Sequence, residues 1–197
     1  MSTIAPDRPE SPVVPLRFTT VQFERMAKTG VLAAGKRYEL LDGQIIPMSP
    51  PGPEHCAHVD TLYSRLFRLL GETWQVRCQG NILLNRHTEP QPDFAILRQD
   101  PDHYRKRHPG PGDIMLLIEV SDSTLTHDRT RKAEVYAAAG VVEYWIINLR
   151  QRRVHVFRRP AAEGYLDVTT HEGEDEIQAL ELPTLRLRAD EILLPPG

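Results

Sequence analysis

The stretch DIMLLIEVS, residues 113–121, decides how this chain is read. Its apolar run IMLLI lacks the polar alternation of a strand wetted on one face, so it suits a strand buried on both sides. Glu119 interrupts the apolar character near the end of that run. An ionised carboxylate in a buried strand is expensive unless it is paired or holds a metal, so Glu119 needs a partner. Upstream, PDFAIL at 92–97 reads as a second strand, opened by Asp93 directly after a proline. The interval between the two acids accommodates one strand, a loop and a second strand running beside the first. At the ~4.8 Å spacing of adjacent strands, both carboxylates would converge on one hard cation such as Mg2+. The alternative leaves Asp93 capping a turn and Glu119 at the solvent rim of the sheet.

Outward from this pair, RQDPDHYRKRHPGPG at 98–112 is too rich in proline, glycine and charge to be regular and reads as a surface loop. A helix is expected over about Asp128–Ala139, ended by Gly140, followed by VVEYWIINL and RRVHVFRR as two strands around a short polar turn. Trp74–Gln79 and Ile82–Asn85 also read as strands. Val59, Leu62, Tyr63, Leu66, Phe67 and Leu70 recur at helical spacing after the break SPPGP and before Gly71. Asp42-Gly43 between Tyr38–Leu41 and Gln44–Met48 predicts a hairpin, and a short amphipathic helix should run from Thr19 or Thr20 to Gly30. The rest reads as edge strands. The expectation is one α/β domain over residues 17–194 with a mixed central sheet flanked by helices, behind a disordered proline-rich tail at 1–16.

Composition narrows the chemistry. The chain has 197 residues, 24 basic against 27 acidic, and a net charge of -3, which excludes nucleic-acid binding by bulk charge alone. No stretch approaches the ~18 consecutive apolar residues of a membrane span, and the first residues lack the apolar core of a signal peptide, so a cytoplasmic protein with no membrane partner is expected. Cys56 and Cys78 form no CxxC pair, which removes a disulfide framework and a multi-cysteine zinc site; both read as small buried hydrophobes. HCAH at 55–58 offers two ligands at most and no companion cluster. No GxSxG, Walker, GxGxxG or HExxH motif occurs. Lys132 is one of only four lysines and lies between Asp128 and Tyr136 at one-turn spacings. An acid at i and a lysine at i+4 is also a common exposed helix pair.

A hairpin glutamate (Glu39), PD opening a strand, a glutamate late in an apolar strand and then a lysine on a helix together resemble the PD-(D/E)XK nuclease superfamily. More closely, the chain resembles the Uma-type family of restriction endonuclease-like proteins. YELLDGQIIPMSP at 38–50, His55, PDFAIL at 92–97, LLIEVSDST at 116–124, the run from Asp128 through Lys132 and Tyr136 to Gly140-Val141, and EYWIIN at 143–148 carry the likeness. One departure is local: the superfamily lysine two residues after the glutamate is replaced by Ser121.

The resemblance implies a restriction-endonuclease-like core and a metal-dependent endonuclease hydrolysing DNA phosphodiesters. Asp93, Glu119 and the Val120 carbonyl would hold Mg2+ or Mn2+, Lys132 would take the displaced lysine's place, and Glu39 would hold a second metal or orient the first shell. His55 is expected at the mouth of the site, Gln79 and Ser121 lining the pocket, and Arg105, Lys106 and Arg107 of the basic loop on backbone phosphates. If Lys132 instead pairs outward with Asp128, the site lacks its cation. The other reading is a catalytically inactive nucleic-acid-binding or assembly protein that keeps the fold. A homodimer is expected of a nuclease that cuts both strands, with apolar strands near the C-terminus as its interface.

Overall fold

In the computed structural model, which describes residues 15–195, a sheet of six strands runs through the middle of the protein. The strands are β3 (Gln75–Cys78), β4 (Phe94–Leu97), β5 (Ile114–Ser121), β6 (Glu143–Asn148), β7 (Arg153–Ala161) and β8 (Gly164–His171), in that spatial order. Strands β5 and β6 are parallel and every other pair is antiparallel, so the sheet is mixed as expected. All eight residues of β5 are buried, which is what an apolar run with material on both faces should give. The tail expected at 1–16 falls outside the described residues apart from its last two positions.

Strand parity sorts the core into two layers. Phe94, Ile96, Leu116, Ile118, Val120, Trp145 and Ile147 face one way, against Val59, Leu62, Leu66 and Leu70 of the helix α2 (Pro53–Leu70). Ala95, Leu97, Leu117, Tyr144 and Ile146 face the other way, against Val135 and Tyr136. Those two belong to α4 (Ala133–Ala138), which continues α3 (Leu125–His127) through a π-helical turn at Asp128–Lys132. The expected single helix over Asp128–Ala139 therefore starts earlier and contains a widened turn, a device that often accompanies functional sites. This crossover joins the two parallel strands, and a parallel pair requires such a connection.

The N-terminal elements follow the sequence closely. Thr19 caps α1 (Thr20–Lys28) in a capping box with Gln22. The hairpin β1 (Tyr38–Leu41) and β2 (Gln44–Pro47) turns at Asp42 and Gly43, which have φ of 51° and 79°. Gly43 is also required sterically, since a Cβ there would lie 2.6 Å from Arg17 Cβ.

Two expectations fail and a third holds only in part. Ile82–Asn85 is not a strand: its amides bond singly to Pro90, Pro109 and Thr88 rather than to one ladder. Cys56 and Cys78 are exposed rather than buried, Cys56 near the start of α2 and Cys78 at the end of the edge strand β3. The C-terminal segment adds one edge strand, β8, to the main sheet, as expected, but no more. After β8, β9 (Glu176–Gln178) and β10 (Arg186–Arg188) pair only with each other and, with α5 (Ala189–Ile192), lay Ile177, Leu187 and Ile192 on the α2 layer. No helix among the described residues is long and apolar enough to cross a membrane.

Candidate active site

Antiparallel register brings Asp93 and Glu119 together. Phe94 pairs with Ile118, so one residue further along the ladder Asp93 stands opposite Glu119, and both are odd-numbered on the face that carries the crossover helix. The Val120 amide donates to Asp93 Oδ2 at 2.9 Å, which locks the carboxylate to β5. His55, in the first turn of α2, places Nε2 3.1 Å from the same oxygen, and Gln79 Nε2 donates to Oδ1 at 3.2 Å. Gln79 sits at a positive φ of 49° with its amide on the Asp93 carbonyl, a conformation unfavourable for a side chain of its size. Burial pushes the Asp93 carboxyl up, but hydrogen bonding and charge from His55, with Val120 and Gln79, outweigh it and hold the group below the ordinary range.

Lys132 points inward. Its Nζ donates to Glu119 Oε1 at 2.9 Å and lies 3.4 Å from Glu39 Oε2 and 3.8 Å from Asp128 Oδ1. Tyr136, one turn on, donates its hydroxyl to the same Glu119 oxygen at 2.9 Å. Ser121 and Thr124 both donate to Asp128 Oδ2 at 2.6 Å. Ser121, at the position of the superfamily lysine, thus fixes Asp128 beneath Lys132, and it is fully buried rather than on the pocket wall.

Electrostatically the cluster is short of positive charge. Glu39, Asp93, Glu119 and Asp128 are all buried, and Lys132 is the one buried cation among them. Burial alone would strip the Lys132 proton, yet Glu119, Glu39 and Asp128 reverse this and hold its pKa above that of a free lysine. Burial drives the Glu119 carboxyl well above its ordinary range; Lys132 opposes this, and Asp128, Asp93 and Glu39 add to it. For Glu39 burial is outweighed by Lys132 and His127, so its pKa falls, while its Oε2 accepts no hydrogen bond. Asp93 Oδ2 accepts two hydrogen bonds and Oδ1 one, whereas Glu39 Oε2 is buried and accepts none, with the Lys132 ammonium near it at 3.4 Å.

These groups line a cavity of about 410 Å³ together with Arg37, His55, Val120 and His127. Among the expected site residues, Asp93, Glu119, Lys132, Glu39, Val120 and His55 line it; Gln79 and Ser121, expected on its wall, are not there and instead support Asp93 and Asp128. Arg105, Lys106 and Arg107 do not line it either. Their loop joins the end of β4 to the start of β5, at the opposite end of both strands from Asp93 and Glu119. Arg107 is also clamped, to Asp113 Oδ1 at 3.1 Å and Asp100 at 3.4 Å, and Lys106 pairs with Asp102 at 2.8 Å. Sequence reasoning passed over Asp128 and Tyr136 as site members, although their one-turn spacing from Lys132 was visible. It had no signal for His127, whose Nε2 lies 3.4 Å from Glu39 across a long stretch of chain.

No curated protein matches the sequence. Among solved structures, the crystal structure of "a putative nuclease belonging to DUF820" from Anabaena variabilis ATCC 29413 superposes with a TM-score of 0.68 at 13% identity. The match covers 89% of this chain and 97% of that one, and it shows a shared fold. The family model Uma2, described as "Putative restriction endonuclease", matches residues 20–190, and this chain therefore belongs to the Uma2 family.

Proposed function

We propose that this chain is a metal-dependent endonuclease that hydrolyses DNA phosphodiester bonds at the Asp93, Glu119 and Lys132 cluster. The observation that carries the reading is the buried surplus of carboxylates over cations on the wall of an open cavity. A purely structural cluster would be expected to neutralise itself, because uncompensated buried charge is costly. A divalent cation relieves that cost, and the donor set, all oxygen, suits Mg2+ or Mn2+. Asp93, Glu119 and the Val120 carbonyl would hold it, with Glu39 completing the shell or supporting a second ion. The ion would supply Lewis acidity to a phosphate ester and to the water that attacks it.

The protein's own groups set up the remainder. Lys132, held charged across the neutral range by its three acidic neighbours, is unsuited to be a general base; it stabilises negative charge developing on the phosphate and orients the attacking water. Tyr136 and Lys132 both fix one oxygen of Glu119, which leaves the other to the ligand. His55, Val120 and Gln79 hold Asp93 in place and ionised. Gly52 and His55, at the N-terminal end of α2, border the cavity.

The test is a cleavage assay on plasmid DNA and on matched single-stranded DNA and RNA, with Mg2+ or Mn2+, comparing wild type with Lys132→Ala. Metal-dependent cutting of DNA, lost in the variant, is the expected result. Cutting of RNA alone would overturn the substrate assignment. Binding of DNA without cutting under any of these conditions would favour the inactive binding protein.

A further inference from the structure

A second cluster lies away from this cavity. Glu24 on α1, Glu89 in the segment before β4 and His108 in the basic loop bring one ligand atom each within 4.8 Å of one another. They border a pocket of about 450 Å³ that shares no residue with the Asp93 cavity. Glu89 is only 2% exposed, and its Oε2 is buried without any hydrogen-bond partner. Its other oxygen accepts from Asn81 Nδ2 at 2.7 Å, and Asn81 in turn accepts from Gln91 at 3.3 Å, so the amide is fixed with its donor toward the carboxylate. A ligand carboxylate held by an outer hydrogen-bonding shell is the usual construction of a metal site.

We propose that Glu24, Glu89 and His108 form a second divalent-cation site, selective for an imidazole-seeking metal of the zinc class and distinct from the oxygen-lined site at Asp93 and Glu119. Two carboxylates and one neutral imidazole match a dication in charge, and three protein ligands with water in the fourth position match zinc's tetrahedral habit. Magnesium is disfavoured by the imidazole. The His108 Nε2 to Glu89 Oε1 separation is 3.8 Å, against roughly 3.3 Å between ligands around tetrahedral zinc, so small side-chain movements close the shell. Lys28 is the competing cation, 3.1 Å from Glu24, and Lys36 also borders the pocket. Lys28 is largely exposed, and a surface pair of that kind is weak enough to open when a dication arrives. The three ligands come from segments remote in sequence, so the ion would tie α1 and the basic loop to the sheet.

The experiment is calorimetric titration of the full chain with Zn2+ alone, comparing wild type, Glu119→Gln, His108→Gln and Glu24→Gln, each checked by circular dichroism. Wild type and Glu119→Gln should share a saturable Zn2+ site, weakened at least tenfold in His108→Gln and in Glu24→Gln. Glu24 is only half-buried, at the rim of the pocket, so Glu24→Gln reports on the ligand even if another variant misfolds. Absence of Zn2+ binding overturns the proposal. So does binding lost in Glu119→Gln but intact in the two ligand variants, which would assign the zinc to the Asp93 cavity instead.

Discussion

Two glutamates, Glu119 and Glu143, sit in neighbouring parallel strands with almost no exposure, and their surroundings are opposite. Glu143 Oε1 accepts from Trp145 Nε1 at 3.0 Å and from Arg158 Nε and Nη2 at 2.9 and 2.7 Å, while Oε2 accepts from the Leu180 amide at 2.7 Å. One guanidinium matches one carboxylate, both oxygens are occupied, and neither residue lines the Asp93 cavity. Glu119 shares a single ammonium with Glu39 and Asp128, has both of its donors on one oxygen, and lies on a cavity wall. Burial therefore does not separate a structural acid from a candidate catalytic one. Charge balance and access do.

Three measurements test this contrast between the two glutamates. In the cleavage assay, Glu119→Gln should reduce the rate by about 10³-fold or more, since the proposed metal would lose a charged ligand; Glu143→Gln should not change the rate of the folded fraction. In urea denaturation, Glu143→Ala should cost about 3 kcal/mol, because it leaves the Trp145, Leu180 and Arg158 donors without their acceptor. Glu119→Gln should have the opposite sign without metal, raising stability by about 1 kcal/mol, because it removes one of several like charges that burial disfavours. A loss comparable to that of Glu143→Ala would show the two glutamates to be equivalent.

The smallest effect lies at the far end of the sheet. The Arg107 hydrogen bond holds the Asp113 carboxyl below its ordinary range against a modest burial penalty. A depressed folded-state pKa stabilises the protein above the unfolded value near 3.8, and that contribution is lost as pH falls through the lower folded value. Melting temperature should fall less steeply below about pH 4 in Asp113→Asn than in wild type. Equal slopes would remove this ion pair from the account.

Much of this was legible from particular residues. The run at 114–118 suited a buried strand, Asp42-Gly43 signalled a hairpin, and a meeting of Asp93 with Glu119 was expected if their strands were adjacent. The basic loop misled because sequence proximity to two site strands says nothing about which end of those strands a connection occupies. Antiparallel pairing sends it to the wrong end. The π turn at 128–132, the approach of His127 to Glu39 and the gathering of Glu24, Glu89 and His108 depend on tertiary packing between distant segments and leave no periodic trace. Pro160 lies in β7 beyond Arg158, where pairing with β6 has stopped and only β8 runs alongside.

The proposed metal site is tested most directly by locating the ion. Crystals grown with Mn2+ and measured for its anomalous scattering should show a peak bounded by Asp93, Glu119 and the Val120 carbonyl in wild type, and none there in Glu119→Gln. A fully bound Mn2+ elsewhere with no peak at that position, or a peak that survives Glu119→Gln unchanged, would contradict the account.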